Sequence, residues 1–183
     1  GVSVFVLTFS HAANTALEQS VDAAVAESGQ VSILRLRFSN KLYVFRLATE
    51  CLKLSKSGEF DVVLLADSSA QKAAALTIAS CPLPVWTVFH GSEIRNYFEQ
   101  PSLVFRLSGM QRRIRHLLDL STGCVAVSRY LADSIERTLP SLAPKLHVVR
   151  HGIEFEKFEE ANKISQAEAR AATNIPQDAK VIL

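Results

Sequence analysis

The chain has 183 residues, 48% of them hydrophobic, and a formal net charge of +2. That balance suits one domain, or one domain with a stub of another, and excludes a disordered chain. It leaves no global nucleic-acid footprint, and no apolar run approaches the roughly 20 residues that span a bilayer.

Val2 to Thr8 is β-branched and apolar and reads as a buried strand. A helix is expected over Ala16 to Glu27, stopping before Gly29, then a strand over Val31 to Leu36. Leu42 to Lys56 has helical spacing through Leu42, Phe45, Leu47, Leu52 and Leu54, and Gly58 closes it. Phe60 to Ala66 is a short strand. Asp67-Ser68-Ser69 caps an alanine-rich helix running to about Ser80. Pro82 and Pro84 flank a turn into the strand Val85 to Phe89, which stops at His90-Gly91.

Pro101 suits the first position of a long helix to about Asp119. Its stripe is Leu103, Leu107, Met110, Ile114 and Leu117, while Arg106, Arg112, Arg113, Arg115 and His116 lie off it. The plainer reading is a core-facing stripe with a solvated basic face; the alternative is a helix lying on anionic lipid. Gly123 to Val127 is a strand, Ser128 caps a helix ending near Leu139, and Leu146 to Val149 is a further strand. Glu154 to Thr173 is polar and helix-prone, and Lys180 to Leu183 opens another strand.

Strands alternate with helices, and the strands are continuous apolar runs. The fold class expected is therefore α/β: a doubly wound, mostly parallel Rossmann-like sheet covered on both faces. Cys51, Cys81 and Cys124 sit in apolar surroundings with no C-x-x-C pair, and the five histidines form no H-E-x-x-H. Reduced core thiols, a reducing cytosol and no metal site are expected.

Ligands of open parallel sheets bind beyond the carboxyl ends of the strands. That rule selects Thr8 to His11, Asp67 to Ser69, His90 to Glu93, Ser128-Arg129 and Arg150 to Glu154. Within His90-Gly91-Ser92-Glu93, Gly91 admits close backbone approach, and Ser92 could begin a helical turn whose N–H groups attract an anion. His90 could meet a sugar hydroxyl or a phosphate. It could equally just terminate the strand, with Glu93 enriching the helix start. Asp67-Ser68-Ser69 reads as a cap, Ser128-Arg129 as a cap with a solvated arginine, and Arg150 to Glu154 as a tight turn. G-x-G-x-x-G, the P-loop and the G-x-S-x-G elbow are all missing, which counts against a dehydrogenase, a P-loop NTPase and an α/β-hydrolase.

Taken in order, these motifs resemble the N-terminal domain of family 4 retaining glycosyltransferases, of GT-B fold. The resemblance rests on Gly1 to Thr8, on Phe60-Asp61-Val62-Val63, and on Leu83-Pro84-Val85 through His90-Gly91-Ser92-Glu93. Val125 to Leu131, Val148 to Glu154 with Phe158, and Ile175-Pro176 with Lys180 to Leu183 complete it. It implies an incomplete acceptor-side domain over residues 1–158, lacking its first βα unit. Residues 159–183 are then a linker and the start of a nucleotide-sugar-binding domain. The implied activity is transfer of a sugar, a hexosyl group, from a nucleotide-sugar to an acceptor hydroxyl with retention, and the segment alone is expected to be inactive.

The resemblance assigns His90 to the donor sugar as the catalytic residue. Gly91, Ser92 and Glu93 belong to the same substrate-binding loop, Ser128 and Arg129 to the cleft edge, and Gly152 to the interdomain crossover. His151 departs from the family's usual Asn. No cofactor is implied, since the nucleotide-sugar is a substrate. The acceptor is a sugar, a lipid-linked molecule or a small molecule, no nucleic acid is involved, and the location is cytoplasmic, with the inner membrane face as a peripheral contact. A nucleotide-sugar epimerase and a non-catalytic sugar- or nucleotide-binding module are the alternatives.

Overall fold

A computed structural model describes residues 2–10, 15–27, 29–37, 43–152, 155, 159 and 163–180. The chain divides into two units, Gly1–Arg150 and His151–Leu183.

The first unit alternates strands and helices as expected. The strand β1 (Val4–Ser10) leads through α1 (Thr15–Ala26) to β2 (Val31–Arg37) and α2 (Tyr43–Ser55). Then come β3 (Val63–Leu65), α3 (Ser68–Thr77) and, after a 3-10 turn, β4 (Val85–Phe89). The helical segment that follows starts as α4 (Ser92–Ile94) and widens to a π-turn over Arg95–Glu99. α5 (Leu103–Leu107), α6 (Met110–Leu120), β5 (Gly123–Ala126), α7 (Arg129–Thr138) and β6 (Leu146–Val148) complete the unit. In the second unit, α8 (Gln166–Ala172) is closed by a capping box between Ser165 and Glu168. Val181 to Leu183, expected as a strand, lie outside the described residues.

Every described strand pair is parallel, but the strands form two ladders, β1-β2 and β3-β4-β5-β6. One core cluster joins Leu36 of β2 to Leu47 and Ala48 of α2 and Ala73 of α3. On the neighbouring residue of β2, Arg35 turns the other way and pairs with Asp22 of α1 at 2.6 Å. Successive side chains of a strand point to opposite faces, so α1 and α2 flank β1-β2 from opposite sides. That is the doubly wound arrangement. The larger cluster packs β3 to β6 against α3, α6 and α7, with Val85, Thr87 and Phe89 all buried. The other face of this ladder carries half-buried Trp86 and Val88 and exposed Leu64 and His147, so the expected cover on both faces is not met among the described residues. Residues of β1 and β3, including Phe5, Leu7, Val63 and Leu65, line a common apolar groove of about 140 Å³, which Leu47 and Leu54 of α2 also line.

Three local expectations change. Residues 101–119 are not one helix: Ser102 caps α5, and Gly109, at φ 72°, turns the chain before α6. Leu103 and Leu107, expected on the core stripe, are exposed, whereas Ile114 and Leu117 are buried. The turn at Gly109 lets α6 follow the core, while α5 meets it through Phe105. On α2, Phe45 is likewise exposed, and Leu47, Ala48 and Ser55 face inward. All three cysteines are free thiols, with Cys124 buried and Cys51 and Cys81 half-buried. Burial pushes the Cys51 and Cys124 thiols up to about 11, so both stay protonated and unreactive at neutral pH.

Candidate functional site

Three strand ends meet where β4 stops. β3, β4 and β5 run parallel side by side, with Phe89 opposite Ala126 and the Val127 amide bonded to the Phe89 carbonyl. The residues following these strands, Ala66-Asp67, His90-Gly91 and Val127-Ser128, therefore lie along one edge of the sheet. The carboxyl-end rule selects that edge for a ligand.

His90 is exposed, and its Nε2 lies 2.7 Å from the Ala66 carbonyl oxygen. A carbonyl can only accept, so Nε2 carries the proton, and the bond fixes the ring across the ends of β3 and β4. Gly91 sits at φ 141° and ψ −49°, a conformation open to glycine, which lets the chain leave the strand and enter α4 within one residue. Glu93 is only 4% exposed. Its Oε2 accepts from the Gly91 amide at 2.8 Å and the His90 amide at 3.2 Å. The carboxylate thus fastens the turn from inside and occupies two of the amides that an anion would otherwise seek. Ser92, exposed, opens α4.

A second layer holds this loop. Tyr97, buried beneath it, donates from its hydroxyl to the Ser68 carbonyl at 3.2 Å and stacks on Phe105 with ring centroids 5.4 Å apart. Burial, with the negative charge of Glu93 nearby, pushes the Tyr97 phenol well above its ordinary range, so it remains a donor. Gln71 of α3 donates from Nε2 to the Val88 carbonyl at 2.7 Å, while its buried Oε1 has no partner among the described residues. Gln71 and Tyr97 were not legible as site supports: their bonds span 17 and 29 residues, and within one segment each reads as ordinary helix composition.

Ser128 and Asp67 act as caps. The Ser128 hydroxyl accepts from the Leu131 amide at 3.2 Å, and the Asp67 carboxylate from the Ser69 and Ala70 amides at 2.6 and 2.8 Å. Arg129 is exposed one residue beyond Ser128. His90, Gly91, Ser92, Glu93, Ser128 and Arg129 are thus brought to one edge. Gly152 belongs to the second unit, exposed and with open space around its α-carbon. His11, Ile153 and Glu154 lie outside the described residues. The described residues contain no group of His, Cys, Asp or Glu suited to a metal and no helix long and apolar enough to cross a membrane.

The family model described as Glycosyltransferase Family 4 matches residues 1–157. No curated protein matches the chain.

Proposed function

Since the chain belongs to glycosyltransferase family 4, we propose that its strand-end edge is the acceptor-side wall of a cleft that transfers a sugar from a nucleotide-sugar to an acceptor hydroxyl with retention. His90 is the residue that meets the transferred sugar. The observation that carries this role is the 2.7 Å tether from its ring to the Ala66 carbonyl. It holds the imidazole at the carboxyl end of β4 before any ligand arrives, and preorganised polar groups are what lower a transition state. The rest of the mechanism is positioning of the acceptor hydroxyl and electrostatic support of the departing nucleotide diphosphate. Exposed Arg129 supplies positive charge on the same edge.

Residues 1–158 then form the acceptor-side domain and 159–183 lead into the nucleotide-sugar-binding domain. β1 and β3, each with one ladder neighbour among the described residues, both line the apolar groove. Catalysis needs both walls of the cleft, so the segment alone is inactive.

The test is steady-state kinetics in the two-domain enzyme. His90→Ala lowers the transfer rate roughly a hundredfold, on the order of the 3 kcal/mol that one preorganised polar contact supplies. Thermal melts show the fold retained. A folded His90→Ala enzyme with unchanged kinetics removes His90 from the site.

A further inference from the structure

We infer that α5 and the first turns of α6 form a docking surface for an anionic membrane. Leu103, Val104 and Leu107 of α5 are 69%, 77% and 78% exposed. They are held outward, because Phe105 between them is half-buried against the main core and stacked on Tyr97. Gly109 then turns the chain, and exposed Arg112, Arg113 and His116 of α6 line a depression of about 580 Å³ whose wall includes Leu76 and Ile78. Arg106 projects from α5 itself, and no acidic residue occurs between Glu99 and Asp119. Among the described residues the ion pairs are Arg35–Asp22 and Lys53–Glu50, so none engages Arg106, Arg112 or Arg113.

An apolar ridge beside unpaired guanidinium groups matches a bilayer interface, where the leucines enter the acyl boundary and the arginines meet anionic headgroups. A second copy of the chain fits worse, since pairing through this face would oppose like charges. A nucleic acid fits worse as well, since a phosphate backbone offers the ridge nothing apolar. Tyr97 links Phe105 to Ser68 at the end of β3, so a docked α5 holds the strand-end edge near the lipid surface. Resting on the function proposed above, that placement makes the acceptor lipid-linked; the docking itself does not depend on it.

The experiment is co-sedimentation of the 183-residue chain with phosphatidylcholine vesicles, with and without phosphatidylserine. Binding is expected to require phosphatidylserine and to weaken with salt. Arg112→Ser with Arg113→Ser should lower partitioning about 25-fold, roughly fivefold for each arginine at the surface. Replacing both by Lys should keep it. Leu103→Ser with Leu107→Ser should lower it about tenfold or more as apolar burial is lost. All four side chains are exposed, and circular dichroism checks that the fold is kept. Equal binding to both vesicle types, or equal binding by all variants, overturns the inference. So does a dimer that Leu103→Ser dissolves in a chain that ignores vesicles, or binding to DNA without any to vesicles. Transfer activity is read separately in the two-domain enzyme on a soluble acceptor, so loss of docking and failure of the proposed function are distinguishable.

Discussion

Removing the Glu93 carboxylate should loosen the turn that carries His90. One buried oxygen accepts from two backbone amides, at 2.8 Å from Gly91 and 3.2 Å from His90. Hydrogen bonds to a charged group contribute about 1.5–3 kcal/mol each, but the second is at the long end of the range and water reaches the exposed turn when the side chain is gone. Glu93→Ala is therefore expected to cost about 2–3 kcal/mol, and Glu93→Gln, which keeps an acceptor oxygen without the charge, about 1 kcal/mol. In urea the larger loss lowers the midpoint by about 1 M or more. Hydrogen exchange adds a local readout, because the His90 and Gly91 amides should lose protection in Glu93→Ala and regain part of it in Glu93→Gln. A Glu93→Ala chain with an unchanged midpoint and unchanged exchange at these two amides would refute the fastening role.

Lys145 makes a comparable closure at the far end of α6, where its Nζ donates to the carbonyls of Leu118, Asp119 and Ser121 at 2.7, 2.8 and 2.9 Å. Lys145→Met strips the helix end of this cap and should cost about 2–3 kcal/mol by urea titration, while a change below about 0.5 kcal/mol would mean that water replaces it fully. Asp22 gives a pH dependence: its hydrogen bonds to Arg35 hold its carboxyl below the ordinary value of 3.8. A depressed folded value means the pair's stabilisation is present above pH 3.8 and is lost as pH falls through the lower folded value. Acid titration of stability should accordingly be shallower in Asp22→Asn, and identical profiles would count against the pair.

The strands and the caps could be read directly from the chain. A buried parallel strand is a near-continuous apolar run, so Val85 to Phe89 stands out locally, and β4 matches its expected bounds; β2 was legible from its β-branched and leucine content although Leu36 is its one buried residue among those described. Asp67 and Ser128 bond to amides two or three residues away, which makes a cap a property of a short window. The strand-end position of His90 followed from the same logic.

What the window does not contain, tertiary structure decided. The helical stripe from Leu103 to Leu117 has one period, but periodicity carries no information about whether a partner exists to cover it. The turn at Gly109 gives α6 the core and leaves Leu103, Val104 and Leu107 of α5 outside it. Glu93 had two readings, helix start or ligand contact, and its burial against its own loop came from the path of the chain at Gly91. The supports from Gln71, Tyr97 and Lys145 bridge 17 to 29 residues. Such bonds depend on which elements the packed core sets side by side, and that choice belongs to all the segments together.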